Sequence, residues 1–168
     1  MSRDVNFVEA VELGFFKYAD FHGRAQRAEF WWWVLYGVIA SVALGAVDYS
    51  LLQWWVPEKL MLGNLHFYAT LVPTLAVGWR RMHDIGRSGW WVVFPLALLF
   101  AQVSVSKTVA RLPYSEASAK LGAVVAASES VVFAVLAYVI YLLACDSDRG
   151  GNRYGPSPKY GGRTAVVG

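Results

Sequence analysis

The chain has 168 residues, of which 57% are apolar, 15% are aromatic and only 16% are charged. An ordinary soluble domain carries about 25% charged residues, so this composition excludes a disordered chain and argues against a water-soluble globule. The single cysteine, Cys145, excludes a disulfide framework and a thiolate metal cage, because each requires at least a second cysteine.

The first predicted element is an amphipathic helix that precedes the first long apolar block. Its apolar residues recur at helical spacing: Phe7, Val8, Val11, Phe15 and Ala19. This pattern favours a helix lying along the inner surface of a membrane. A short soluble helix packed on the cytoplasmic loops is the alternative, because Asp4, Glu9 and Glu12 would be repelled by anionic lipid.

Four apolar blocks follow, each near the roughly 20 residues that a helix needs to cross a bilayer. They cover residues 30–52, 60–77, 90–105 and 123–144. The residues Gln53, Pro57, Glu58 and Lys59 predict a turn between the first two blocks. The sequence therefore predicts an all-α integral membrane four-helix bundle, a single domain over residues 1–160, followed by a short cytoplasmic tail at 161–168.

The distribution of positive charge predicts the orientation of these spans. Lys and Arg near span ends resist transfer across the membrane and therefore remain in the cytoplasm. Eleven lie at the two ends of the chain and in the middle loop, and four lie on the other side: Lys59, Lys107, Arg111 and Lys120. Both termini are therefore predicted to lie in the cytoplasm.

Two further features concern the membrane interior. Small residues form one helix face in the first span (Gly37, Ser41 and Gly45) and another in the last (Ala126, Ser130, Ala134 and Ala137). Such faces permit close helix contacts within one chain or between copies, and we expect the first of them to be buried in protein. Asp48, His66 and Glu129 are predicted at a similar depth in the outer third of the membrane, where they would form a polar cluster with a structural or a proton-handling role.

Three segments predicted on the cytoplasmic side have a specific composition. They are Phe21 to Trp32 (FHGRAQRAEFWW), Arg80 to Trp91 (RRMHDIGRSGWW) and Asp148 to Pro158 (DRGGNRYGPSP). Their order and spacing resemble the YhaH-like family of small bacterial inner-membrane proteins, a domain of unknown function (family 805). The resemblance covers about residues 15 to 160. It implies a four-span inner-membrane protein and supplies no activity.

The same three segments carry complementary charges, which predicts an ordered, charge-paired cytoplasmic cap beneath the helices. The candidate site residues in it are Arg24, Arg27, Glu29, Arg80, Arg81, His83, Asp84, Arg87, Asn152, Arg153 and Tyr154. Asp84 is expected to pair with Arg80 one helical turn earlier, or to accept a hydrogen bond from a nearby imidazole. Gly23, Gly86, Gly89 and Gly155 are expected to permit positive φ or close backbone approach.

The cap either locks the helices together and anchors them at the anionic inner leaflet, or it binds a phosphate or carboxylate ligand. His83 and Asp84 together suggest a metal-dependent hydrolase, but too few further His and Asp ligands lie on the same side of the membrane. No metal, cofactor or nucleic-acid partner is predicted.

The leading hypothesis is a non-enzymatic scaffold or accessory protein that binds anionic phospholipid or a protein partner through its arginine-rich face. The alternative is a small oligomeric transporter or channel that uses the outer polar cluster. A homo-oligomer is compatible with either.

Overall fold

The computed structural model describes residues 4–52, 61–113 and 115–160, and this part of the chain is helical with no strand. The predicted turn at Gln53, Pro57, Glu58 and Lys59 and the predicted tail at 161–168 lie outside the described residues. The helices are α1 (Phe7–Phe16), α2 (Arg27–Val47), α3 (Met61–Asp84), α4 (Trp90–Val109) and α5 (Glu116–Ala144). A short π-helical segment, Asp48–Leu52, extends α2.

Helix α1 begins at a capping box, in which Asn6 accepts from the backbone N–H of Glu9 (3.0 Å) and the Glu9 side chain accepts from the backbone N–H of Asn6 (3.2 Å). The helix packs against α2 and α3. Its Phe15 ring lies edge-on to Trp33, with ring centroids 5.2 Å apart. On its outer side Phe16 is 87% exposed. One apolar side of α1 is therefore used inside the protein, and a second remains available to the membrane surface.

Within the described residues, three helical segments have the length and composition to cross a membrane: Arg27–Ser50, Trp90–Val109 and Ala117–Ala144. They contain or overlap the predicted spans 30–52, 90–105 and 123–144. The predicted second span, 60–77, lies within α3, which is long enough but is not among these three. Its sequence is less apolar because polar residues such as Asn64 and His66 interrupt it and the helix continues into charged residues. A bundle of four membrane-spanning helices is therefore not established by composition.

The long helices pack as two pairs, α2 with α3 and α4 with α5, and α3 also contacts α4 and α5. The hydrophobic core lies at one end of this arrangement and includes Phe30, Trp33, Val77, Met82 and Leu142. Away from this core, large apolar side chains such as Phe100 (76% exposed) and Val42 (69% exposed) face outward. This pattern is typical of helices whose outer surface contacts lipid.

The two faces of small residues are not buried within the chain. Ser41 is exposed, and a Cβ added at Gly37 or Gly45 would meet open space. The corresponding face of α5, which includes Ala134 and Ala137, is also exposed. The reason is that α2 contacts α3 through larger side chains, including a hydrogen bond from Trp33 Nε1 to Thr74 (3.0 Å). Contact between copies through these faces stays a prediction.

We expect Gly89→Ala to destabilise the protein, because a Cβ at this buried position would overlap the Trp79 ring. Overpacking of this kind costs about 1–3 kcal/mol. The measurement is thermal unfolding in detergent, with Gly122→Ala as the control, since a Cβ at Gly122 in α5 meets no atom. Equal midpoints for the two variants would contradict the close approach of Gly89 to Trp79.

Candidate functional site

The three sequence motifs meet at the end of the helices that holds the core, and Arg24 lies at their centre. A guanidinium has five N–H donors, and those of Arg24 are all used. They donate to Asp84 Oδ1 (3.0 Å), Asp84 O (3.1 Å), Asp148 O (2.8 Å), Gly150 O (2.8 Å) and Gly155 O (3.2 Å). Arg24 thereby joins the first motif to the end of α3 and to the loop after α5.

Asp84 is the acidic partner in this network, and it is fully buried. Its carboxylate accepts from Arg24 Nε at 3.0 Å and from Arg81 Nη1 at 2.6 Å. Its backbone carbonyl also accepts from the backbone N–H of Asp148 at 3.1 Å. Two buried guanidiniums therefore share one carboxylate, and each needs it because a buried unpaired charge costs several kcal/mol.

Arg81 extends the network to the last helix. Its Nε donates to the carbonyl of Leu143 at 3.1 Å, and its Nη2 donates to the carbonyl of Cys145. Leu143 lies in the final turn of α5 and Cys145 is its C-cap residue, so no intrahelical donor remains for these carbonyls. The cation also lies at the negative end of the helix dipole. Arg81 therefore caps α5 from the neighbouring helix.

The expected pairing of Asp84 with Arg80 is wrong. Arg80 instead donates to Glu29 of α2 at 3.0 Å, and its Nε and Nη1 are buried without a hydrogen-bond partner among the described residues. Adjacent residues on a helix point about 100° apart. Arg80 is therefore directed toward α2, while Arg81 is directed toward Asp84 and α5.

His83 and the third motif form the remaining part of the cap. The His83 ring stacks on Tyr154, with centroids 3.6 Å apart and planes 5° apart, and its Nδ1 is 3.0 Å from the carbonyl of Gly23. Asn152 donates to the His83 carbonyl at 2.9 Å. Burial lowers the pKa of His83, and the Gly23 carbonyl opposes this shift. The His83 imidazole is therefore fixed by its neighbours and has a structural role in the cap.

The expected conformations of the motif glycines are confirmed. Gly23, Gly86 and Gly155 have positive φ, and Gly89 approaches Trp79 closely. At Gly155, with φ of 124°, the turn also pairs with Asn152 through two backbone hydrogen bonds of 2.9 and 3.1 Å. This turn presents the Gly150 and Gly155 carbonyls to Arg24.

The predicted site residues therefore separate into a buried and an exposed group. Arg24, Glu29, Arg80, Arg81, His83 and Asp84 are buried, and Asn152 and Tyr154 are half-buried. Arg27, Arg87 and Arg153 are exposed. Arg153 lies over the Tyr154 ring at 4.7 Å from its centroid, and Arg27 makes one hydrogen bond of 3.5 Å, to Ala144 O. The exposed arginines are the predicted site residues most accessible to a ligand.

No group of three or more His, Cys, Asp or Glu side chains in the described ranges is arranged to hold a metal ion. His83 faces Gly23 and Tyr154, whereas Asp84 faces two arginines. The two adjacent side chains thus have separate partners, and this geometry offers no support for a hydrolase site.

Asp48, His66 and Glu129 do not form one cluster. The Asp48 carboxylate accepts from the backbone N–H groups of Leu62 (3.0 Å) and Gly63 (2.9 Å), in the first turn of α3. Glu129 of α5 accepts from Ser106 of α4 at 2.8 Å. His66 packs edge-on to Tyr36, with centroids 5.9 Å apart. Asp48 therefore acts as a helix cap, and Glu129 joins the other helix pair.

Sequence reasoning missed an ion pair beside the cap between Lys159 and Asp146, at 2.6 Å. The hydrogen bond from Lys159 lowers the pKa of Asp146 to about 2. The two residues are separated by a loop rather than by helical spacing, so no periodicity signals the pair.

The contribution of this ion pair to the stability of the fold depends on pH. Because the folded-state pKa of Asp146 is depressed, its stabilisation is present near neutral pH and is lost as the pH falls toward about 2. The pair is partly exposed, so we expect Asp146→Asn to lower stability by about 0.2–1 kcal/mol at neutral pH. Unfolding midpoints of the two proteins should converge in acid; a difference independent of pH would contradict this interpretation.

Residues 18–156 match the family described as "Protein of unknown function (DUF805)". The chain belongs to this family. The inner membrane protein YhaI of Escherichia coli K12 is 28% identical over 144 residues, which are 86% of this chain and 90% of YhaI. The inner membrane protein YhaH of the same strain is 37% identical over 84 residues, 49% of this chain and 64% of YhaH, so this match spans less than two-thirds of that relative.

Membership in the DUF805 family confirms the resemblance carried by the three motifs, and the protein is a membrane protein. The matched residues include the first two cap segments and the third as far as Pro156, and they begin after the end of α1 at Phe16. No solved structure matches the chain.

Proposed function

We propose that this DUF805 protein is a non-enzymatic accessory or scaffold protein of the bacterial inner membrane, and that it binds anionic phospholipid through the exposed arginines of its cap. In this proposal α2, α3, α4 and α5 cross the membrane, and both termini and the cap lie in the cytoplasm. The relatives YhaH and YhaI are inner membrane proteins, which supports the location.

The position of the basic residues supports the orientation. All three cap segments, which contain Arg24, Arg81 and Arg153, lie at one end of the helices. Lys107 lies in the last turn of α4, at the opposite end, and Arg111 follows that helix. Because Lys and Arg near helix ends favour the cytoplasm, this asymmetry supports a cytoplasmic position for the cap.

The main support for this proposal is that some arginines of the cap are buried and hydrogen-bonded inside it, whereas others are exposed. The donors of Arg24 are all used inside the cap, so it locks the fold and has none to offer a ligand. Arg87 and Arg153 are exposed and donate to no side chain among the described residues. Exposed cations at the cytoplasmic membrane surface are attracted to anionic lipid, and each residue contributes about 1 kcal/mol of binding free energy.

The position of these arginines favours lipid over a protein as the binding partner. Arg87 lies in the short loop before α4, whose first residues, Trp90 and Trp91, are exposed. Tryptophan rings prefer the headgroup region of a bilayer, so this arginine lies at headgroup depth. A transporter is less favoured, because Asp48 and Glu129 belong to different helix pairs.

The test compares lipid retention after extraction in mild detergent from membranes that contain phosphatidylglycerol and phosphatidylcholine. We expect Arg87→Gln with Arg153→Gln to lower the retained phosphatidylglycerol several-fold. The matched control is Lys107→Gln with Arg111→Gln at the opposite end. If the two double variants retain equal amounts of phosphatidylglycerol, the proposed function is wrong.

A further inference from the structure

A groove of about 700 Å³ runs along one face of α2, beside the cap. Arg27, Trp31, Leu35 and Val38 line it from α2, and these positions lie one or two turns apart on the same side of the helix. The remaining wall includes Gln26 and the N-terminal residue Asp4. The groove therefore has a polar end at the cap and an apolar length along α2.

The dimensions of the apolar part match one lipid chain. From Arg27 to Val38 the helix rises about 16 Å, at 1.5 Å per residue. One leaflet of the hydrocarbon core is about 15 Å thick, half of the whole. Leu35 and Val38 are 39% and 55% exposed, so a chain lying against them would cover apolar surface that the protein leaves open.

The polar end combines one available cation with acceptors. Arg27 is exposed and makes only the long hydrogen bond to Ala144 O within the described residues, whereas Lys159 is held by Asp146. The Asp4 side chain supplies an exposed carboxylate.

Gln26 supplies the second acceptor. Its residue is only 6% exposed, and its Nε2 donates to the carbonyl of Pro158 at 3.0 Å. That bond fixes the orientation of the amide, because Pro158 O accepts only from the nitrogen. The Oε1 atom is then left buried without a hydrogen-bond partner. A buried acceptor of this kind needs a donor.

We propose that this groove binds one phospholipid whose headgroup carries an ammonium N–H donor, as in phosphatidylethanolamine. The phosphodiester would bind Arg27, the ammonium would bind Asp4 and Gln26 Oε1, and one acyl chain would lie along Leu35 and Val38. Phosphatidylcholine lacks an N–H donor, and phosphatidylglycerol lacks a cation to match Asp4. The site is separate from the anionic-lipid surface of Arg87 and Arg153.

The test is native mass spectrometry of the full chain, released from nanodiscs with equal amounts of phosphatidylethanolamine, phosphatidylcholine and phosphatidylglycerol. We expect one phosphatidylethanolamine to be retained by the wild type. Arg27→Gln should lower its retention about tenfold, as for loss of one charge-assisted hydrogen-bonded pair, and Lys107→Gln at the opposite end of the helices should leave it unchanged.

A second pair of variants tests the groove without changing charge. Val38→Trp would fill the apolar part and should expel the bound lipid, whereas Ile39→Trp, an equally exposed neighbour outside the groove, should not. Equal retention of phosphatidylethanolamine and phosphatidylcholine, or equal effects of Arg27→Gln and Lys107→Gln, would overturn this inference. The proposed anionic-lipid function fails on a different result, unchanged phosphatidylglycerol in the Arg87 and Arg153 double variant.

Discussion

Asp84→Asn is expected to destabilise the protein by about 3–5 kcal/mol, because it leaves two buried guanidiniums without their shared carboxylate. Asparagine has nearly the same shape as aspartate, so the loss reports charge rather than packing. The Asp84 side chain has no exposed surface, and the Arg24 side chain is 1% exposed. Water therefore offers little compensation to Arg24 once the carboxylate is gone.

The measurement is equilibrium or thermal unfolding of the purified protein in detergent, with Asp146→Asn as the matched control. Asp146 also forms an ion pair at 2.6 Å, but its side chain is 53% exposed. Its substitution should cost less than about 1 kcal/mol. Comparable losses in the two variants would show that the pairing around Asp84 does not stabilise the fold.

Arg24→Lys is expected to have the second largest effect, although it preserves the positive charge. Lysine has three donors on a single nitrogen and cannot reproduce the planar arrangement of five. The carbonyls of Asp148, Gly150 and Gly155 would lose donors 2.8 to 3.2 Å away. These hydrogen bonds are only partly buried, but together they join Arg24 to the loop after α5. Because a hydrogen bond to a charged group contributes about 1.5–3 kcal/mol, we expect the loop to detach.

Far-UV circular dichroism should show that Arg24→Lys retains its helices, while limited proteolysis cleaves the loop after α5 more rapidly than in the wild type. Arg87→Lys is the control, because Arg87 is exposed and its side chain has no partner among the described residues. A proteolysis rate for Arg24→Lys equal to that of Arg87→Lys would contradict the role of Arg24 as the centre of the cap.

The membrane character and the assembly of the cap could be predicted from sequence because both rest on residue type. The length of the apolar blocks predicted the three helices that are long and apolar enough to cross a membrane. The unusual density of Arg, Asp and Gly in three segments predicted an ordered cap. Helix α3 was harder to interpret, since one helix contains both the predicted span 60–77 and the charged residues Arg80 and Arg81.

The particular partners could not be predicted, for a physical reason. Most acceptors of Arg24 and Arg81 are backbone carbonyls, such as those of Leu143 and Gly150, and every residue has one. The pairing of Asp84 with Arg81 and not Arg80 depends on helix rotation. Likewise Asp48, His66 and Glu129 share a predicted depth, but depth does not specify which helices are neighbours.

The central claim is that the three motif segments form one folded cap, with the loop after α5 held by Arg24. Hydrogen exchange of the wild-type protein in detergent tests it directly at residues 148–155, which lie outside any helix. We expect protection of the backbone N–H groups of Asp148, Asn152 and Gly155, which donate to carbonyls at 2.9 to 3.1 Å. Exchange of these amides at the rate of an unstructured peptide would contradict the account.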